Sequence, residues 1–384
     1  MPMHVLNSKR VSRYHHIDVL RGCAILAVLL LHVGIMTEGL DFHPNLTLVV
    51  QRLSIGIQLF FVLSGYLVSI SLDRCMVSGE GIRGFLIRRA AKIVPLYLLF
   101  LHLNIIIFLV SSALSPGVVP FRNSVTADNL TWGNYLLHLG FLQGFTPVNL
   151  HTLLDGSWSI LIEVYFYLLF PFALARACRS AIGCARVYVL SLGVAIAFIL
   201  LIGRHFSGFS HYGFPAQLPC FLLGALAHRI SQMPNFESHF APWRKVAIAC
   251  SVMLMIGLVK GESKPLGDSN VYALCFTAIL LASSVLTEVL APTIVAGLAA
   301  LGRQSYALFF VHLALLKGTY LYLSTEQIVL PFWPSLALNL IVAVPLTWLV
   351  SAFVFDRIDR YFVALADRSL NRSQLDKNLI RTQA

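Results

Sequence analysis

The sequence predicts an all-α polytopic membrane protein with about ten transmembrane helices and both termini cytoplasmic. Three observations carry that prediction. Hydrophobic residues make up 58% of the 384-residue chain and charged residues 12%, whereas globular domains carry roughly 25% charged residues. Ten apolar segments approach the ~20 residues that cross a bilayer: 17–37, 53–72, 93–113, 158–175, 186–203, 211–229, 246–260, 270–287, 304–323 and 335–355. Third, the lysines and arginines concentrate in alternate loops.

The first sixteen residues are polar and basic, and no small-residue cleavage site follows the apolar run from Ile17, so an uncleaved first helix is expected rather than a signal peptide. An eleventh stretch, "WGNYLLHLGFLQGF" (132–145), is short and interrupted by glycine. If it does not span, 22 of the 28 lysines and arginines fall in one set of loops, which the positive-inside rule places in the cytoplasm. If it spans, the basic loops 176–186 and 229–245 move outside. The distribution therefore favours ten spans, with 132–145 a re-entrant or interfacial element of an outer region, 114–157. The expected organisation is a cytoplasmic segment 1–16, a membrane domain 17–355 and a polar cytoplasmic tail 356–384, with no soluble domain appended.

Several other classes fit poorly. The net charge of +11 suits nucleic acid, but the basic residues lie in short loops where topology accounts for them. Seven cysteines without a CxxC pair indicate neither a disulfide framework nor a zinc site, so no metal is expected. "GEGIRG" (79–84) matches a dinucleotide fingerprint yet has no preceding strand. No internal repeat is evident, which disfavours inverted-repeat transporters. The Asn45 and Asn129 sequons are too common a pattern to imply glycosylation.

Ionisable residues inside apolar runs mark candidate function. In "LRGCAILAVLLLH" Arg21 and His32 are eleven residues apart. On a helix that spacing leaves them about 20° apart in azimuth and ~16 Å apart along the axis. Each has a structural alternative: a snorkelling anchor for Arg21, an interhelical hydrogen bond for His32. "FLIRRAAKIVPLY" clusters Arg88, Arg89 and Lys92 where the third span begins, either as an anion site or as topological charge. In "FFVLSGYL", Ser64-Gly65 suits close helix packing better than nucleophilic catalysis, because no G-x-S-x-G context surrounds the serine. "GSWSILIEVYFYLLFP" places Trp158 at an outer aromatic belt and Glu163 about one and a half turns deeper. "LGRQSYALFFVH" adds His312 near mid-depth, on roughly the same face as Ser305.

Taken in order with "CFLLGALAHR", these stretches resemble the integral-membrane acyltransferases of family 3, which O-acylate bacterial cell-surface sugars. The resemblance covers about 15–355. It implies a bacterial inner-membrane enzyme with no permanently bound cofactor, using cytoplasmic acyl-coenzyme A (acetyl-CoA above all) as co-substrate and a hydroxyl of a glycan or lipid-linked saccharide as acceptor. Its partners would be those two molecules and the bilayer, not nucleic acid. Arg21, Arg88, Arg89 and Lys92 would hold the donor phosphates, His32 would be the general base, and Glu163 would orient His32 or bind the sugar. Trp158, Tyr66, Ser64 and His312 would face the acceptor. Lys92 stands where the family usually has a second arginine, and a lysine lacks the planar fork that grips phosphate. The additional hydrolase-like domain of some relatives is not seen, so the membrane unit is expected to handle its acceptor alone. The readings left open are a glycan or lipid exporter without acyl transfer, and an inactive sensor or assembly partner.

Overall fold

In a computed structural model, which describes residues 3–37, 39–114, 124–259 and 265–383, every regular element is helical. The longer helices are α1 (Met3–Ile35), α2 (Ile55–Val77), α3 (Gly81–Leu114), α4 (Ser157–Leu169), α5 (Ala181–Ile202), α6 (Phe214–Ser231), α7 (Arg244–Val259), α8 (Pro265–Leu281), α9 (Pro292–Arg303) and α10 (Ser305–Thr325). α11 (Phe332–Leu338), α12 (Val344–Val354) and α13 (Arg360–Gln383) form one continuous helix through π turns at Asn339–Ala343 and Phe355–Asp359.

Seven stretches among the described residues are long and apolar enough to cross a membrane: His15–Ile35, Pro44–Val77, Gly81–Ala113, Ser157–Leu174, Ala181–Ile202, Ser305–Leu323 and Phe332–Asn371. This is a multi-pass membrane protein. Three of the ten expected spans fall short of that standard. The segment 211–229 is broken where Gly213 adopts an extended conformation, and α6 beyond it carries Gln217, His228 and Arg229. α7 has only 16 residues, and the apolar part of α8, Ser269–Leu281, is also short. Among the basic residues counted above, Arg122, Lys260 and Lys264 lie outside the described residues.

Local chemistry sets most boundaries. Gly79 and Gly81, at φ +77° and +63°, turn the chain between α2 and α3. The Ser180 hydroxyl accepts from the Gly183 N–H (3.1 Å) and caps α5. Pro171 offers no N–H to the ladder, and the chain accommodates it in a π turn at Phe170–Leu174. The helix Trp132–Leu139 has eight residues, about 12 Å at ~1.5 Å each, which cannot cross ~30 Å of hydrocarbon. Its polar Asn134 and His138 are buried while Trp132 and Leu136 are exposed, the pattern of a helix with its apolar side turned outward.

Helix pairs meet where side chains are smallest. A Cβ on Gly65 would lie 1.9 Å from the Phe221 carbonyl oxygen, and one on Gly224 1.9 Å from that of Val62, so α2 and α6 touch backbone to backbone. Gly22 and Gly302 do the same for α1 and α9. A stack of Phe61, Phe221 and Phe166, each step 4.6 Å between centroids, ties α2, α6 and α4 together. At one end, Arg229 Nη1 (2.7 Å) and His228 Nε2 (2.9 Å) clamp Asp73 of α2. Gly65→Val should therefore destabilise the protein by about 1–3 kcal/mol or prevent assembly. Gly297→Ala on α9, with open space around it, should leave thermal melting in detergent unchanged.

Candidate functional site

The sequence placed Glu163 in an apolar helix, and a buried carboxylate must find donors. At 8% exposure it accepts hydrogen bonds from the hydroxyls of Ser64, Tyr167 and Tyr306. The two phenol oxygens are also 3.2 Å apart. Around this hub three cations line the same cavity, of about 80 Å3. Lys92 Nζ lies 5.1 Å from the Tyr306 ring centroid, and the Arg89 guanidinium 5.1 Å from that of Tyr167. Arg21 lies 6.0 Å from Tyr306 and donates to Ser305 Oγ at 2.7 Å. Each cation faces an aromatic ring, yet among the described residues no carboxylate comes within 4.0 Å of Arg21, Arg89 or Lys92.

A second, larger cavity of about 650 Å3 adjoins the first; Ile57, Ser159 and Phe309 line both. Its wall includes His32, Gln58, Trp158, Tyr212 and Gln217. Trp158 and Tyr212 lie 4.6 Å apart between centroids. Gln217 Nε2 donates to the His211 carbonyl (2.7 Å), while Gln217 Oε1 and His211 Nδ1 are buried without a partner among the described residues. His32 Nδ1 is 2.8 Å from the Val28 carbonyl and 3.3 Å from His312 Nε2. Arg21 and His32 of one helix thus open into different but adjoining cavities.

Not every residue singled out from the sequence comes to these cavities. Arg88 turns away: it pairs with Glu80 (Nη2 to Oε1, 3.0 Å) and Asp367 (2.9 Å) and lines neither space. The Arg88 guanidinium holds the Glu80 carboxyl below its usual range. Tyr66 packs its ring edge-on against His228 (5.7 Å), away from both cavities. Ser64 lines the cationic cavity as a Glu163 donor rather than the larger one. Glu163 engages hydroxyls, and no hydrogen bond joins it to His32. His312 is fully buried, against His32, and lines neither cavity.

Tyr167, Tyr306 and Gln217 escaped the sequence reading. Tyr167 follows Glu163 by four residues, a spacing that puts it on the same helix face, so that signal was present. Gln217 gave none. Among the described residues no group of three or more His, Cys, Asp or Glu side chains is arranged to hold a metal. The arrangement is suited to a phosphate-bearing anion at one end and a basic imidazole at the other. Replacing Arg89 with alanine should weaken binding of such an anion about tenfold, a charged hydrogen bond being worth ~1.5 kcal/mol or more. Arg88→Ala should have a smaller effect on anion affinity and lower the melting temperature instead, both read in one titration series.

A family model described as "Acyltransferase domain" matches residues 14–352. A Staphylococcus aureus protein (strain COL) named "Putative O-acetyltransferase" is 23% identical over 370 residues, covering 87% of this chain and 56% of its own length. The chain thus spans a little over half the length of that relative. The acyltransferase MdmB of Streptomyces mycarofaciens is 31% identical over 196 residues, 50% of this chain and 46% of its own. The peptidoglycan O-acetyltransferase OatA of Listeria monocytogenes is 26% identical over 171 residues, 42% and 25%. No solved structure matches. With the family model covering most of its length, the chain belongs to the integral-membrane acyltransferases of family 3.

Proposed function

We propose that the protein moves an acyl group, in the first instance acetyl, from cytoplasmic acyl-coenzyme A to a hydroxyl of a cell-surface or lipid-linked glycan in a bacterial inner membrane. The observation that carries this reading is the pair of adjoining cavities, one lined by three cations lacking a carboxylate partner, the other by an imidazole. Three half-buried cations without a carboxylate in direct contact are incompletely neutralised, and the phosphates of coenzyme A would add the charge they lack. Arg21, Arg89 and Lys92 hold them. The pantetheine arm passes Ile57, Ser159 and Phe309, and its thioester reaches His32, a displacement matching the ~16 Å between Arg21 and His32 along a helix.

The acceptor occupies the larger cavity. Trp158 and Tyr212 offer a face to a sugar ring, and Gln217 Oε1 accepts from one of its hydroxyls. His32 takes the proton of the attacking hydroxyl, the acceptor oxygen bonds to the thioester carbon, and the carbon–sulfur bond breaks. The proton then passes from His32 to the leaving thiolate. An acyl-histidine intermediate is the alternative order of events, distinguished by trapping label on the protein.

The test is transfer from labelled acetyl-coenzyme A to de-esterified envelope glycan from a strain lacking the gene. His32→Ala should reduce transfer by about 10²–10⁴-fold, the range for a general base, with unchanged melting. Wild-type rates in that variant remove His32 from the mechanism. Saccharide transport by the wild-type protein without acyl transfer makes it an exporter. In the same assay Arg89→Ala should raise the KM for acetyl-coenzyme A while leaving that for acceptor unchanged.

A further inference from the structure

The two histidines meet edge to face, with ring centroids 4.9 Å apart at 64°. His312 Nδ1 is 2.9 Å from the Leu308 carbonyl, as His32 Nδ1 is 2.8 Å from that of Val28. A carbonyl oxygen only accepts, so each Nδ1 carries a hydrogen. In a neutral His312 the lone pair then sits on Nε2, and Nε2 is the atom 3.3 Å from His32 Nδ1. The His32 N–H is therefore shared between the Val28 carbonyl and the His312 lone pair. The tautomer of an imidazole is set by the bond its other nitrogen makes, so the remaining lone pair of His32 lies on Nε2. Among the described residues no group bonds Nε2, and His32 lines the larger cavity.

We propose that His312 is a positioning residue: it locks His32 in the tautomer whose Nε2 is free to take a proton from a substrate hydroxyl, and it steadies the imidazolium that results. This rests on the acyl-transfer reading above. His312 occupies the place that a carboxylate fills in a serine-hydrolase triad. The acidic side chain of this region, Asp155, is engaged by Lys317 and by Ser124 Oγ (2.9 Å). The proton inventory closes without His312 giving up a hydrogen. His32 Nε2 gains the hydroxyl proton as the carbon–oxygen bond forms, and returns it to the coenzyme thiolate as the carbon–sulfur bond breaks. Both Nδ1 hydrogens stay in place. His312 itself has no nitrogen left for substrate.

Three variants separate this role from packing and from substrate contact. His312→Gln keeps an acceptor near Nδ1 of His32, His312→Leu keeps bulk without an acceptor, and His312→Ala keeps neither. With acetyl-coenzyme A as donor and de-esterified envelope glycan as acceptor, the Leu and Ala variants should lose about tenfold or more in kcat, with both KM values unchanged. The Gln variant should recover most of that loss. A Leu variant as active as the Gln variant makes the role packing and overturns the proposal. A raised acceptor KM at unchanged kcat overturns it in favour of substrate contact. Failure of the wild-type protein to transfer acetyl rejects the acyl-transfer reading beneath it.

Discussion

The carboxylate of Glu163 is the constraint around which the rest is arranged. A charged group at 8% exposure in an apolar bundle is tolerable only when its lone pairs are filled. The donors come from three helices: Ser64 on α2, Tyr167 on α4 itself and Tyr306 on α10. Satisfying one group therefore sets the relative placement of three elements. It also decides what the neighbouring cations do. Because the carboxylate is spent on hydroxyls, Lys92 and Arg89 meet it only across the tyrosine rings. Their charge is stabilised without being neutralised.

That incomplete neutralisation distinguishes these cations from the three that brace the fold. Arg88, Arg229 and Lys317 each have a carboxylate and each braces elements together. Arg21, Arg89 and Lys92 share one wall, which under the proposed function an anion from outside completes. The scaffold that holds this wall is built from close backbone approaches at Gly22, Gly65, Gly224 and Gly302 and from the Phe61–Phe221–Phe166 stack. Rigid crossings of that kind keep an unsatisfied cluster from collapsing on itself.

The segment 124–157 shows how a polar network is carried between apolar helices. Asn104 of α3 donates to the Leu153 carbonyl (2.7 Å) and to Ser124 (3.0 Å), and Asp155 joins Ser124 to Lys317 of α10. Such a network anchors the segment that leads into Trp158 and hence one wall of the larger cavity. Buried networks are stable when their members are satisfied, and they specify position more than they add stability.

Much of this was legible in the residues alone. The membrane class, most spans and the interest of Arg21, His32 and Glu163 follow from hydropathy and from helical periodicity, which are local properties of the chain. So does the dismissal of 132–145 as a span. Tertiary packing decided the rest. Arg88 and Arg89 point about 100° apart on a helix, and Lys92 neighbours both, so only the surroundings determine which arginine turns inward. Tyr66 follows His228 because α6 crosses α2 there. α9 is too short, at 12 residues, to announce itself, and it lies against α1 where Gly22 and Gly302 allow the backbones to touch. The sequence by itself determined which residues are too polar for lipid; the fold decided which of them neutralise one another and which meet no carboxylate, because charge pairing depends on distances between helices that periodicity does not contain.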